Sequence, residues 1–184
     1  MKLIVICGPM FAGKSTRLIT EGEKYIKAGR QVVYLKPSSD TRYSVDEIVT
    51  HDQVKVPASL ITNQLKNRYV VERADVVLID EVQFIEPHLV EEILALVNEG
   101  KTIIVAGLDT DYLGQPFPVV KELMPYADEV VKIKGICRCA KESTMTSLKK
   151  EAREQVKGIF NLGSDDQYEA LCRQCFNQEN KEGK

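Results

Sequence analysis

The chain has 184 residues, 43% of them hydrophobic, with Lys+Arg 25 against Asp+Glu 27 and a formal charge of -2. That length holds one ordinary domain and a small appendage, and the apolar share is enough for a buried core, which excludes disordered and fibrous classes. The near balance of charge supplies no basic face for a polyanion, so DNA and RNA are not favoured partners.

Leu3 to Cys7 is an apolar run too short for a signal-peptide core or a membrane span; it reads as a buried strand, and a cytoplasmic location is expected. Gly8 to Gly13 reads as a loop and Ser15 to Ala28 as a helix stopped by Gly29. Gln31 to Leu35 has the β-branched character of a second strand. Lys36 to Val56 is polar, holds Pro37, Ser38, Ser39 and Asp40, and reads as a long functional loop; Ala58 to Asn67 is a helix candidate. Val76 to Ile79, closing on Asp80-Glu81, is the strongest strand signal. Pro87 opens a helix that runs to about Asn98 and stops at Gly100, before strands over Thr102 to Ala106 and Glu129 to Lys134. This alternation predicts an α/β fold, a mostly parallel sheet flanked by helices, with ligands beyond the carboxyl ends of its strands. At Gly135 cysteines and basic residues replace apolar runs. The expected division is therefore a nucleotide-binding domain over 1–135 and a small domain over 136–184, with a frayed polar tail from Asn177 to Lys184.

Gly8-Pro9-Met10-Phe11-Ala12-Gly13-Lys14-Ser15 matches G-x-x-x-x-G-K-[ST] between a strand and a helix. Glycines in that pattern let backbone N–H groups wrap a phosphate of ATP at a helix N-terminus. Lys14 then reaches the β- and γ-phosphates, and the Ser15 hydroxyl is placed for Mg²⁺. Asp80 ends an apolar strand, where a carboxylate supports the same magnesium ion; Glu81 is placed to take a proton from an attacking hydroxyl. Cys137-x-Cys139 and Cys172-x-x-Cys175 supply four thiolates for a tetrahedral structural zinc, with free thiols or a redox pair as the other reading. A segment of about fifty residues buries too little surface to fold alone, so zinc would provide much of its folding free energy. Cys7 reads as a small buried hydrophobe, His88 as a surface residue, and His51 lies in the polar loop. A phosphate loop alone does not separate a kinase from other nucleotide hydrolases. A zinc-containing RecA-like ATPase acting on nucleic acid, and a binding protein that no longer turns over, are the rival classes.

The segments Gly8 to Thr16, Asp40-Thr41-Arg42, Thr50-His51-Asp52, Asp80-Glu81-Val82-Gln83-Phe84 and the paired cysteines together resemble the type II thymidine kinases, in the same order and over nearly the whole chain. The resemblance implies a RecA-like domain with a zinc-held lasso, ATP and thymidine as substrates, a homotetramer, and feedback inhibition by thymidine triphosphate. It implies Glu81 as general base, with Lys14, Ser15, Thr16 and Asp80 on the phosphates and magnesium and Asp40 and Arg42 in a loop near them. It further implies that Met10, Gln83, Phe84, Leu108, Tyr112 and Phe117 surround the base, and that Thr146, Gly163 and Tyr168 of the lasso hold base and sugar. An apolar, aromatic slot suits a methylated pyrimidine. Two departures stand out: many relatives have CxxC at the first cysteine pair, and many carry two glycines where this chain reads Asn161-Leu162-Gly163-Ser164.

Overall fold

The computed structural model describes residues 1–40, 44, 46–50, 52–65, 69–152 and 167–182. In chain order the first eight strands are β1 (Lys2–Cys7), β2 (Val32–Pro37), the short β3 (Glu47–Val49) and β4 (Lys55–Pro57), β5 (Ser59–Ile61), β6 (Val76–Ile79), β7 (Thr102–Gly107) and β8 (Glu129–Lys132). All but β3 and β4 make one sheet, ordered β5-β2-β6-β7-β1-β8, and every neighbouring pair in it is parallel. The helices around it are α1 (Lys14–Lys27), α2 (Tyr69–Arg73), α3 (Leu89–Asn98) and α4 (Pro118–Leu123).

Successive strand residues point to opposite faces, and here both faces are covered, which is why the central strands read as unbroken apolar runs. Leu3, Val5, Cys7, Val77, Ile79, Ile103 and Val105 pack with Leu89, Ile93 and Leu96 of α3 and with Val119, Val120 and Leu123 of α4. On the other face Ile4, Ile6, Leu78, Ile104 and Ala106 meet Leu18 and Ile19 of α1. Because all six strands are parallel, their carboxyl ends share one edge. Residues 8–15, 38–40, 80–81, 108–109 and 133–134 therefore emerge side by side.

Four sequence expectations are corrected. The stretch read as a helix from Ala58 to Asn67 is strand β5 at its start, because Leu60 and Ile61 pair with the open edge of β2. The helix falls later, in α2. The loop read over Lys36 to Val56 contains the antiparallel hairpin β3/β4, closed by Ile48 opposite Val56, and β2 itself runs on to Pro37. The strand read over Glu129 to Lys134 ends at Lys132.

The fourth lies beyond Lys134, where short antiparallel pairs follow: β9 (Gly135–Ile136) with β10 (Glu142–Ser143), and β11 (Met145–Leu148) with β12 (Tyr168–Leu171), before α5 (Arg173–Glu182). The tail expected to fray is thus helical through Glu182. Phe176 buries among Cys137, Met145, Leu171 and Cys172, and the carboxylate of Glu179 pairs with Arg138, contacts that a reading of local polarity does not see.

Candidate active site

The phosphate loop leaves β1 at Cys7, buried as expected, and turns at Gly8, where φ is +144°. A Cβ there would stand 2.2 Å from the carbonyl oxygen of Ile133, so only glycine fits between the loop and the segment after β8. Phe11 adopts a left-handed φ of +62°, and Gly13, at +83°, leads into α1. The first turn of α1 holds no acidic side chain, leaving its N–H groups and dipole directed at the loop. Lys14 is buried and its Nζ donates to the Pro9 carbonyl at 2.8 Å, arching the side chain over the loop. Ala12 is half-buried and Thr16 exposed on the first turn of α1. The Met10 N–H donates to Thr146 Oγ1 at 3.0 Å, tying the loop to β11.

Strand β7 separates β1 from β6, and across that gap Asp80 accepts a hydrogen bond from the Ser15 hydroxyl. Burial pushes the Asp80 carboxyl up to about 7. The neighbouring Glu81 charge adds to the rise, while Ser15, the Glu81 N–H and Lys14 oppose it. Glu81 sits at φ +50°, an unusual conformation for a non-glycine residue and one that costs about 1–3 kcal/mol. Its N–H donates to Asp80 Oδ1 at 3.0 Å, which holds the two acids in different orientations.

Gln83 lies in the short 3₁₀ turn Val82–Phe84; its Nε2 donates to Glu81 Oε2 and its Oε1 accepts from the Leu108 N–H at 3.0 Å. The amide therefore spans from the acid to the end of β7, and Gly107 makes room for it: a Cβ there would lie 2.5 Å from Gln83 Oε1.

Met10, Tyr112 and Tyr168 come together with Leu148 and Ala152 in one apolar cluster beside the loop. Tyr112 is carried by a tight turn in which Asp111 Oδ1 accepts from the N–H groups of Leu113 at 2.9 Å and Gln115 at 2.8 Å. Leu108 packs against the main core, Phe84 is half-buried, and Phe117 is buried in the main core at the start of α4 rather than in the Met10 cluster. Thr146 is buried on β11, and Asp40 is buried after β2. Arg42, His51 and Gly163 lie outside the described residues; His88 is exposed, its Nε2 3.0 Å from the Asn63 carbonyl oxygen. Leu148 and Lys36 escaped the sequence reading. Leu148 ends a short strand with no periodic signal, and Lys36 looks from sequence like a solvated cation.

The four cysteine sulfurs lie within 4.8 Å of one another, with Cys139 Sγ 3.5 Å from that of Cys137 and 3.7 Å from that of Cys172. Tetrahedral zinc with bonds of about 2.3 Å places its sulfurs about 3.8 Å apart, so the set fits that ion. The CxC spacing works because Ala140 takes φ +63° and its N–H donates to the Cys137 carbonyl at 2.8 Å, folding both sulfurs to one side. The Cys175 N–H draws the Cys172 thiol down to about 6, toward the thiolate form a metal takes.

Comparison with known proteins matches residues 1–176 to the family described as thymidine kinase. A thymidine kinase of Pyrobaculum aerophilum is 34% identical over 187 residues, covering 95% of this chain and 97% of that protein. A thymidine kinase of Bacteroides thetaiotaomicron is 36% identical over 175 residues, covering 95% of this chain and 86% of that protein. Among solved structures, AMPPCP-bound DnaA from Aquifex aeolicus shares 20% identity at a TM-score of 0.43, over 71% of this chain and 40% of that one.

Proposed function

This chain belongs to the thymidine kinase family, and on that premise we propose that it transfers the γ-phosphate of ATP to the 5′-hydroxyl of thymidine, and of deoxyuridine. The observation that carries the reading is the meeting, at one edge of the sheet, of the phosphate loop, the Asp80-Glu81 pair and the apolar cluster of Met10, Tyr112 and Tyr168.

The loop amides of residues 8–15 hold the β- and γ-phosphates, and Lys14 exchanges its Pro9 carbonyl for phosphate oxygens. Ser15 and Asp80 are the residues to hold Mg²⁺, which supplies charge neutralisation on the transferring group. The nucleoside base lies against Met10, Tyr112, Leu148 and Tyr168, with Phe84, Leu108, Phe117, Thr146 and Gly163 completing its surroundings. Its 5′-oxygen then faces the γ-phosphorus. Glu81, oriented by Gln83, accepts the 5′-hydroxyl proton as the oxygen attacks. Positioning and charge do most of the work, because the transition state is loose and its charge is spread over the transferring oxygens.

The same reading includes a division into domains 1–135 and 136–184, the second closed by zinc on Cys137, Cys139, Cys172 and Cys175. It also includes Asp40 and Arg42 near the phosphates, a homotetramer, inhibition by thymidine triphosphate and a cytoplasmic location. Among the described residues no helix is long and apolar enough to cross a membrane. The nucleic-acid ATPase is not favoured: the chain carries -2 net charge, where such proteins need a basic track.

The decisive assay is transfer of labelled γ-phosphate to thymidine, deoxyuridine, deoxycytidine and purine nucleosides. Transfer to thymidine, alone or with deoxyuridine, is expected; hydrolysis that rises only with added polynucleotide would replace the kinase by the ATPase.

Asp80 gives a pH test. Its folded value is raised above the unfolded one, so its contribution to stability is full below about pH 4 and is lost as pH rises to about 7. Magnesium needs the carboxylate, so Mg·ATP binding expels that proton. Calorimetry at pH 6 in buffers of different ionisation enthalpy should show a proton released by the wild type and less by Asp80→Asn. Equal release from both would show that Asp80 enters the complex already ionised.

A further inference from the structure

We propose that Lys36 is a positioning residue for the phosphoryl transfer, its buried ammonium fixing the segment after β2 so that Asp40 is held at the carboxyl edge of the sheet. The inference rests on the kinase reading but concerns a residue that the reading leaves without a role.

Lys36 is 3% exposed. It stands at the end of β2, opposite Leu60 of β5, one residue past the pair Leu35 and Ile79. The Leu35 carbonyl accepts the Asp80 N–H at 3.0 Å, so Lys36 follows directly on the β2 residue bonded to the backbone of the candidate magnesium carboxylate. A buried lysine needs acceptors for its three N–H groups and an anion for its charge. Lys36 Nζ donates to the Ser44 carbonyl at 2.8 Å and the Glu47 carbonyl at 3.3 Å, and lies 3.5 Å from Asp40 Oδ2.

Among the described residues, all of these partners lie between Asp40 and Glu47, from just after β2 to the first residue of β3. None belongs to the six-stranded sheet. A lysine serving core stability alone would have no reason to draw its acceptors from one short stretch. Asp40 is itself 5% exposed, so the pair is shielded from solvent and unlike a surface ion pair. The far end of the segment is also held: Ile48 is buried under α1, and the Asp46 carbonyl accepts the Ala58 N–H at 2.9 Å. The ammonium is thus an anchor on the β2 side, beside the bonds from the Ser38 N–H to the Ile61 carbonyl and from the Asp40 N–H to the Pro37 carbonyl, and its loss loosens the stretch that carries Asp40 at the carboxyl edge. Displacements near 1 Å cost about 10²-fold in rate when reacting groups must be aligned.

The test is Lys36→Met, which keeps the stem and removes the charge, compared with Asp40→Asn and the double variant. Expected are a loss in kcat of about 10- to 100-fold, a thymidine KM within about threefold of wild type, and faster amide hydrogen exchange over residues 44–50. The double variant should lose little more than the worse single one, because both break the same contact. Lys36→Arg, which keeps a cation, should recover most of the lost rate. A kcat within twofold of wild type for Lys36→Met, or losses that multiply in the double variant, would overturn the proposal. Should Lys36→Met not fold, Lys36→Gln carries the same comparison. Failure of the kinase reading is seen separately, as absence of nucleoside phosphorylation by the wild type, and the hydrogen-exchange comparison then still reports on the anchor.

Discussion

Glu81→Gln lowers kcat for nucleoside phosphorylation by about 10²- to 10⁴-fold, with a KM for ATP within about threefold of wild type. The substitution keeps the size of the side chain and an acceptor oxygen for Gln83 Nε2, so the local geometry survives and only the proton acceptor is lost. The geometry is the reason for proposing this residue rather than Asp80 as the base. Asp80 is buried, takes the Ser15 hydroxyl and the Glu81 N–H, and faces the phosphate loop. Glu81 turns away from it at φ +50° and is steadied from behind by an amide that also grips the end of β7. A left-handed conformation in a non-glycine residue persists only where its surroundings over-determine it, and here the Asp80 and Gln83 contacts do so. Steady-state kinetics at saturating ATP, with the variant's zinc content and melting temperature matched to wild type, reads the effect. A Glu81→Gln enzyme with near-normal kcat would sink the assignment and leave positioning by Lys14 and magnesium as the whole of the catalysis.

Removing zinc is the second large effect. Two of the four cysteines proposed to hold it, Cys137 and Cys172, are also members of the small core with Met145, Leu171 and Phe176, so a metal bound there and the core would form one unit. Structural zinc sites bind with about 10–16 kcal/mol of apparent free energy at pH 7, more than so few apolar side chains supply. Chelation, or Cys172→Ser, is expected to loosen β9 to β12 and α5 while the six-stranded sheet stays folded. Nucleoside phosphorylation should fall by at least about 10²-fold, because Thr146 and Tyr168 sit on β11 and β12. Binding of ATP to the loop should fall less, through loss of the Met10 to Thr146 hydrogen bond and of the packing of Met10 on Leu148 and Tyr168. Metal analysis should give about one zinc per chain. Folded, active, zinc-free protein would refute the role.

Most of the sheet was legible because strands covered on both faces must be apolar throughout, and Leu3 to Cys7, Val76 to Ile79 and Thr102 to Ala106 show that without help from context. The phosphate loop was legible for a related reason: its glycines answer to backbone geometry, as the closeness of Ile133 to Gly8 demonstrates. The Cys pairs were legible because two close pairs of thiols are a pattern read from residue type and spacing alone, and the four sulfurs do gather within 4.8 Å of one another. Where the reading failed, the deciding partner was far away in the chain. Ser59–Ile61 is a strand only because β2 offers an open edge, and α5 is ordered only because Phe176 and Glu179 find Cys137 and Arg138 across the small unit.

By itself, then, the sequence determined the α/β class, the phosphate-loop pattern and the candidate acids and cysteines, since each follows from local backbone chemistry or from residue type. The tertiary structure alone decided the partnership of Gln83 with Glu81, the gathering of Met10, Tyr112, Leu148 and Tyr168, and the burial of Lys36 beside Asp40. Those depend on strand order and on residues up to 158 positions apart in the numbering, Met10 and Tyr168, which no local pattern encodes.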